Sequence, residues 1–214
     1  MQEIIYTLTL TTPVANGICT AQKPAAGGVQ YLNLNGSLVS GGVATLDCPR
    51  RIIIASTGSD SSIVFTITGT TWNDRLLSEA MTGTGYTNFD FKTVTSITVS
   101  GNTAGNITVG TNQVASTQWV PLDICQVPFN VAVYAMVSSD FTGTYTLEQT
   151  PMNIYESTYI NTDPQYIYSN DIGNMARASD SEDGILNGPT RACRLTLNTY
   201  TSGSIVFKVI QGGI

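Results

Sequence analysis

The chain carries fifteen aspartates and glutamates, nine lysines and arginines, and no histidine. Without an imidazole there is no Ser-His-Asp or Cys-His catalysis, no histidine metal ligand, and no histidine switch near neutral pH. The remaining candidates for chemistry are carboxylates, thiols and aromatic rings. Asp180, Glu182 and Asp183 cluster in ARASDSEDGILNG. Calcium needs six to eight oxygens at defined spacing, and this run lacks the D-x-[DN]-x-[DN]-G pattern, so it reads as a solvated acidic turn. Glu79, Asp90, Asp123 and Glu148 are embedded in strand-like sequence. A glycosidase needs two such acids facing one bond, and no spacing pairs them. The glycines of TGTGYTN lack the Lys-Ser/Thr of a phosphate loop and read as a β-turn.

Four cysteines, Cys19, Cys48, Cys125 and Cys193, are widely separated, and no C-x-x-C occurs. They are expected to be reduced, buried small hydrophobes rather than two disulfides or a zinc set. Trp72 and Trp119 are expected as core or interface anchors. The sequons at Asn35 and Asn106 matter only for an exported chain.

Formal charge is −6, and Arg50-Arg51 is the only adjacent basic pair, so counterion-release binding to nucleic acid is not expected. No apolar run approaches the length of a membrane-spanning helix. MQEIIYTLTLTTP has an acid where a signal peptide carries Lys or Arg, and its apolar residues alternate with threonine. Export by the signal-peptide route is therefore not expected, and no cofactor is expected.

The elements that must position these groups follow a period of two. Ile63, Phe65 and Ile67 share one face of SSIVFTITG, and Ile107 and Val109 repeat the pattern in GNITVG. Phe89, Phe91, Ile97 and Val99 are all odd-numbered, so one extended strand would place them on a single face. Thirty-one threonines and eighteen serines fill the opposite faces, where β-branching favours a strand and the hydroxyl tolerates water. The segment TWNDRLLSEAM fits a helix through Trp72, Leu76 and Ala80 or a strand through Leu77, Glu79 and Met81, with the strand favoured by its surroundings.

Two stretches read as strand, glycine-containing turn, strand: NVAVYAMVSSDFTGTYTLEQT and RACRLTLNTYTSGSIVFKVIQ. Between them, Pro151 to Pro189 is less regular and rich in tyrosine. Turns at this rhythm predict an all-β fold: two tandem antiparallel β-sandwich domains of jelly-roll or Ig-like type, at 28–115 and 116–214. An N-terminal arm, 1–27, precedes them. Its alternation (Ile4, Tyr6, Leu8, Leu10 against Ile5, Thr7, Thr9) suits strand addition to a neighbour or to its own second domain. Low charge with many tyrosines is an interface composition. The candidate contact residues are Ile4, Tyr6, Tyr155, Tyr159, Tyr166 and Tyr168.

Four segments in order, IIIASTGSDSSIVFTITGT, FKTVTSITVSGNTAGNITVGT, WVPLDICQVPFNVAVYAMVSSDFTGTYTLEQT and GPTRACRLTLNTYTSGSIVFKVIQ, resemble β-rich structural proteins of tailed-bacteriophage virions. The resemblance covers roughly residues 50–214; the arm and the 151–175 insert depart from it. It implies a non-enzymatic virion component assembled in the host bacterial cytoplasm, at the head–tail connection or as an upper-tail adaptor. The implied partners are connector, tail, fibre or capsid subunits, with further copies of the chain in a symmetric homo-oligomer, and neither nucleic acid nor membrane. A capsid decoration protein is the alternative of the same class. A carbohydrate-binding adsorption module is the alternative of another.

Overall fold

A computed structural model of the chain describes residues 2–155, 168–169, 172–186, 188 and 190–212. Tyr159 and Tyr166 lie outside the described residues, as does the side chain of Tyr168. The protein is all-β, built from antiparallel sheets. Its strands in the first half are β1 (Gln2–Leu8), β2 (Cys19–Gln22), β3 (Gln30–Tyr31), β4 (Val39–Ser40), β5 (Val43–Ser56), β6 (Val64–Thr70), β7 (Leu76–Thr82), β8 (Gly85–Tyr86) and β9 (Phe91–Val99). Those in the second half are β10 (Ile107–Ser116), β11 (Val120–Pro121), β12 (Asn130–Val137), β13 (Thr142–Thr150), β14 (Tyr168–Ser169), β15 (Ala176–Ala178), β16 (Glu182–Leu186), β17 (Ala192–Ser202) and β18 (Ile205–Gly212). No helix among the described residues is long and apolar enough to cross a membrane.

The chain divides into two compact units, a continuous one of residues 13–112 and a split one of residues 1–12 with 113–214. Residues 1–27, one arm by sequence, thus divide between the units at Pro13. The change of unit in mid-chain falls inside β10, because that strand lends Ala115 and Ser116 to pairing with Leu197 and Thr196.

In the continuous unit the strand order is β2-β10-β5-β9-β6-β7, with β3 on β9 and both β4 and β8 on β5. Its core gathers Ile18, Leu46, Ile52, Ile54, Phe65, Ile67, Leu77, Phe91, Ile97 and Val109 among others. TWNDRLLSEAM is a turn and then a strand. Thr71 and Arg75 close the turn (Thr71 N–H to the Arg75 carbonyl, 2.8 Å), and Asp74 sits at φ 62°, which a helix excludes. Leu77 and Glu79 then face inward.

β9 departs from single parity. Phe91, Ile97 and Val99 are buried as expected, but so is Val94, because the register against β6 shifts between Thr68–Ser96 and Gly69–Val94. The extra residue is a β-bulge, which turns the strand over by one position. Gly69 permits it, since a Cβ there would collide with the Thr93 carbonyl oxygen. Phe89 lies ahead of the strand and is only partly buried.

In the split unit one sheet runs β1-β18-β12-β16 and a second joins β13, β17 and the end of β10, with β14 and β15 on β13 and β11 on β17. Val131, Val133, Ala135, Ile205, Phe207 and Val209 of the first sheet are buried, as are Tyr145, Leu147, Cys193, Leu195 and Leu197 of the second. β12 and β18 bury one face, as the period-two pattern requires, whereas β17 is buried on both faces from Ala192 to Leu197.

The two expected hairpins are instead two arches. β12 pairs with β18 over eight residues and β13 pairs with β17, so the legs of each strand–turn–strand phrase lie in different sheets. The corners meet at Ser138 and Ser204. Alternation within a strand fixes which face is buried, but it does not name the partner strand.

Candidate functional site

Of the ionisable groups singled out by sequence, the strand acids Glu79, Asp90, Asp123 and Glu148 are held by structural partners. Glu79 is buried, and its carboxylate accepts from Asn88 N–H (2.6 Å), Phe89 N–H (3.0 Å) and Asn88 Nδ2 (3.1 Å). Asp90 lies 3.6 Å from Arg51 Nε. Asp123 Oδ1 accepts from Cys125 N–H at 2.9 Å, and the main chain of Asp123 exchanges two hydrogen bonds with the buried Gln211 amide. Glu148 Oε2 accepts from Arg194 Nε (2.7 Å) and Thr196 Oγ1 (3.0 Å), while the guanidinium lies 4.6 Å from the Trp119 ring centroid. Asp180 receives the Tyr145 hydroxyl on its carbonyl at 2.6 Å. Burial, then the charges of Glu182 and Asp180, holds that phenol well above its usual range. Asp183 stands opposite Tyr134 in the β12–β16 ladder. Among the described residues no three His, Cys, Asp or Glu side chains gather as a metal-binding set.

Asp60, which the sequence reading passed over, ties two turns together. It accepts from Ser56 Oγ (2.5 Å), Ala104 N–H (2.6 Å) and Gly105 N–H (3.3 Å). Burial alone would raise its pKa. The three hydrogen bonds and the charge of Lys23 outweigh that and hold it below the ordinary carboxylate value.

All four cysteines are free. Cys19 and Cys193 are buried, and burial pushes each thiol up to about 12. Cys48 is partly buried and its thiol is raised too, by burial and then by Asp47. The expectation of four buried cysteines holds for two of them, with Cys48 only partly buried and Cys125 not buried at all. The latter is exposed in the loop between β11 and β12, whose Ile124 and Val127 also face solvent.

Surface chemistry concentrates on the four-stranded sheet of the split unit. β1 pairs with β18 in seven consecutive pairs without a register shift, from Gln2–Gln211 to Leu8–Ile205. Ile4 and Tyr6 face the interior and are half-buried, Leu8 is buried, and Glu3, Ile5 and Thr7 are exposed. Ile4 lines an indentation with Val120, Pro121, Leu122, Val209 and Gln211. Burial raises the Tyr6 hydroxyl above its usual range, and the exposed Tyr155 adds to the rise.

Register extends the outward face across the sheet. One row is Ile5–Lys208–Tyr134–Asp183, the next Glu3–Ile210–Ala132–Ile185, and a third Thr7–Val206–Met136. Ile5 (54%), Ile185 (55%) and Met136 (44%) are open to solvent around a Lys208–Glu3 ion pair. These residues were missed by the sequence reading. Their signal is present in NVAVYAMV and SIVFKVIQ, where both alternating faces are largely apolar, unlike the threonine-backed strands of the continuous unit. No family model, curated protein or solved structure matches the chain.

Proposed function

We propose that this chain is a non-enzymatic structural protein of a tailed-phage virion, placed at the head–tail connection or upper tail, where it holds neighbouring subunits. The observation that carries an assembly role is the outward face of the β1-β18-β12-β16 sheet. Its exposed Ile5, Met136 and Ile185 surround Tyr134 and the Lys208–Glu3 pair. Large apolar side chains left open together on one sheet face, here around a single compensated ion pair, mark a surface that becomes covered. The resemblance of the four quoted segments to virion proteins supplies the setting, and the buried carboxylates serve main-chain and guanidinium partners.

Quantitative mass spectrometry of purified particles tests the reading. A connector or tail ring is expected at about six to a few dozen copies per particle, set by cyclic symmetry; a copy number in the hundreds supports the decoration alternative. Particles that lack the chain overturn both.

A carbohydrate-binding reading draws on Tyr31, which is 75% exposed on β3 beside the hydroxyl row Thr98–Thr66. Sugar binding by the free protein, abolished by Tyr31→Ala, is its test.

A further inference from the structure

Free sheet edges present unpaired N–H and C=O groups and template further pairing unless they are guarded. The edges of this protein differ in that respect. β7 ends its sheet but turns the charged Glu79 inward, where the 88–89 main chain captures it. β16 is five residues long, and the turn Ile172–Asn174 lies against it, with Gly173 so close that a Cβ would strike the Asp183 carbonyl. β15 is three residues long and contains Arg177 at φ 59°. β14 has two residues, and β2 has four with a register shift. β1 has none of these devices. It runs seven residues without a bulge, and among the described residues it pairs with β18 alone.

We propose that β1 pairs antiparallel with β1 of a second copy across a two-fold axis at Ile5, joining two four-stranded sheets into one of eight. Symmetry about residue 5 is the register that uses all of Gln2–Leu8. It sets Ile5 opposite Ile5, Ile4 opposite Tyr6, Glu3 opposite Thr7 and Gln2 opposite Leu8. Residues directly opposite in an antiparallel pair share a face, so the half-buried Ile4 and Tyr6 meet on the inner side as two aliphatic–aromatic pairs. The exposed Ile5 side chains meet on the outer side. No like charges stand opposite. The two Glu3 carboxylates fall four positions apart, about 13 Å at strand spacing, beyond the screening length at physiological salt. Such an interface is isologous and closes at two copies, and main-chain bonds along the edge supply the affinity.

This inference rests on the assembly reading above but can fail without it. The test uses the full chain with Cys125→Ser, which removes the exposed thiol, and measures mass by light scattering across concentration. The parent chain is expected to be a dimer. Ile5→Lys and Ile5→Glu each oppose like charges on the axis and are expected to be monomeric with unchanged circular dichroism, since the site is exposed. Mixing the two is expected to restore the dimer. Under mild oxidation Ile5→Cys is expected to form a covalent dimer, its Cβ atoms being roughly 5 Å apart, whereas Thr7→Cys, roughly 13 Å from its mate, is expected not to. A parent chain that is monomeric at every concentration overturns the pairing, even where it still enters particles. So does a dimer that survives Ile5→Lys, or a Thr7→Cys chain that crosslinks as readily as Ile5→Cys.

Discussion

Ser138 and Ser204 bind each other twice: the Ser138 N–H donates to the Ser204 carbonyl and the Ser204 N–H donates to Ser138 Oγ, both at 2.9 Å. These residues are the corners at which β12 turns into β13 and β17 turns into β18. Ser202 Oγ adds a bond to the Asp140 carbonyl at 2.8 Å, and the Tyr200 hydroxyl bonds the carbonyls of Gly203 (2.7 Å) and Leu10 (3.0 Å). The two arches therefore close on one another, and the first strand's extension is tied to the same point. Ser138→Ala leaves the Ser204 N–H without its acceptor. It is expected to cost about 1–2 kcal/mol in urea unfolding, with no change in secondary structure. A cost near zero would mean the main-chain bond alone holds the corner.

Asp60 makes the continuous unit acid-sensitive. Its carboxyl is held below the usual value, so the folded state favours the ionised form. The stability this gives is fully present above the unfolded pKa, about 4. It is lost as pH falls through the lower folded value. Asp60→Asn removes the charge while keeping the shape, and is expected to flatten the stability profile below about pH 4. The same variant is expected to lower stability at neutral pH by roughly 1–3 kcal/mol, because the 104–105 amides lose a charged acceptor. A parent and variant that lose stability in parallel below that pH would refute the assignment.

The sequence made some of this visible and not the rest, for identifiable reasons. The burial of Phe65, Ile67, Val131, Val133, Phe207 and Val209 was legible, because period-two alternation is a local property of the chain. The same alternation groups Ile4 with Tyr6 and Leu8, but it does not say that their face turns inward, and Ile4 and Tyr6 are expected as contact residues. Val94 was not legible, since a bulge is set by the opposing strand and shows only as an unremarkable Gly69. The arches look like hairpins in sequence because β12 and β18 are nearly seventy residues apart and their pairing leaves no local mark. The two-faced apolar character of NVAVYAMV and SIVFKVIQ hints at the outward face, but its grouping of Ile5, Met136 and Ile185 depends on the same long-range pairing. Each residue looks like an isolated exposed apolar side chain until the register lines them up.

Thiol reactivity is expected to divide the cysteines. Cys125 is exposed and should react with a thiol reagent in the native protein, well ahead of the buried thiols. Cys19 and Cys193 are buried with thiols raised to about 12, so their modification should await unfolding. Counting modified thiols by mass, with and without denaturant, decides this. Rapid native modification of Cys193 would mean that β17 opens locally.

Glu148 and Arg194 form a pair that is costly to break singly. Both lie largely out of solvent, with side chains 16% and 5% exposed. Arg194 is also stacked on Trp119, and Thr196 donates to the same carboxylate oxygen. Removing one partner of such a pair strands a buried charge, at a cost of about 3–5 kcal/mol, whereas replacing both with apolar groups of similar volume is often close to neutral. Glu148→Leu is therefore expected to destabilise strongly. The double variant Glu148→Leu with Arg194→Met should recover most of the loss, giving a large coupling in a double-mutant cycle. In a Trp72→Phe background, Arg194→Met should also change Trp119 emission, because the guanidinium over the ring is gone. Equal and additive losses in the two single variants would show that β13 and β17 are held by their main-chain ladder alone, with the ion pair incidental to it.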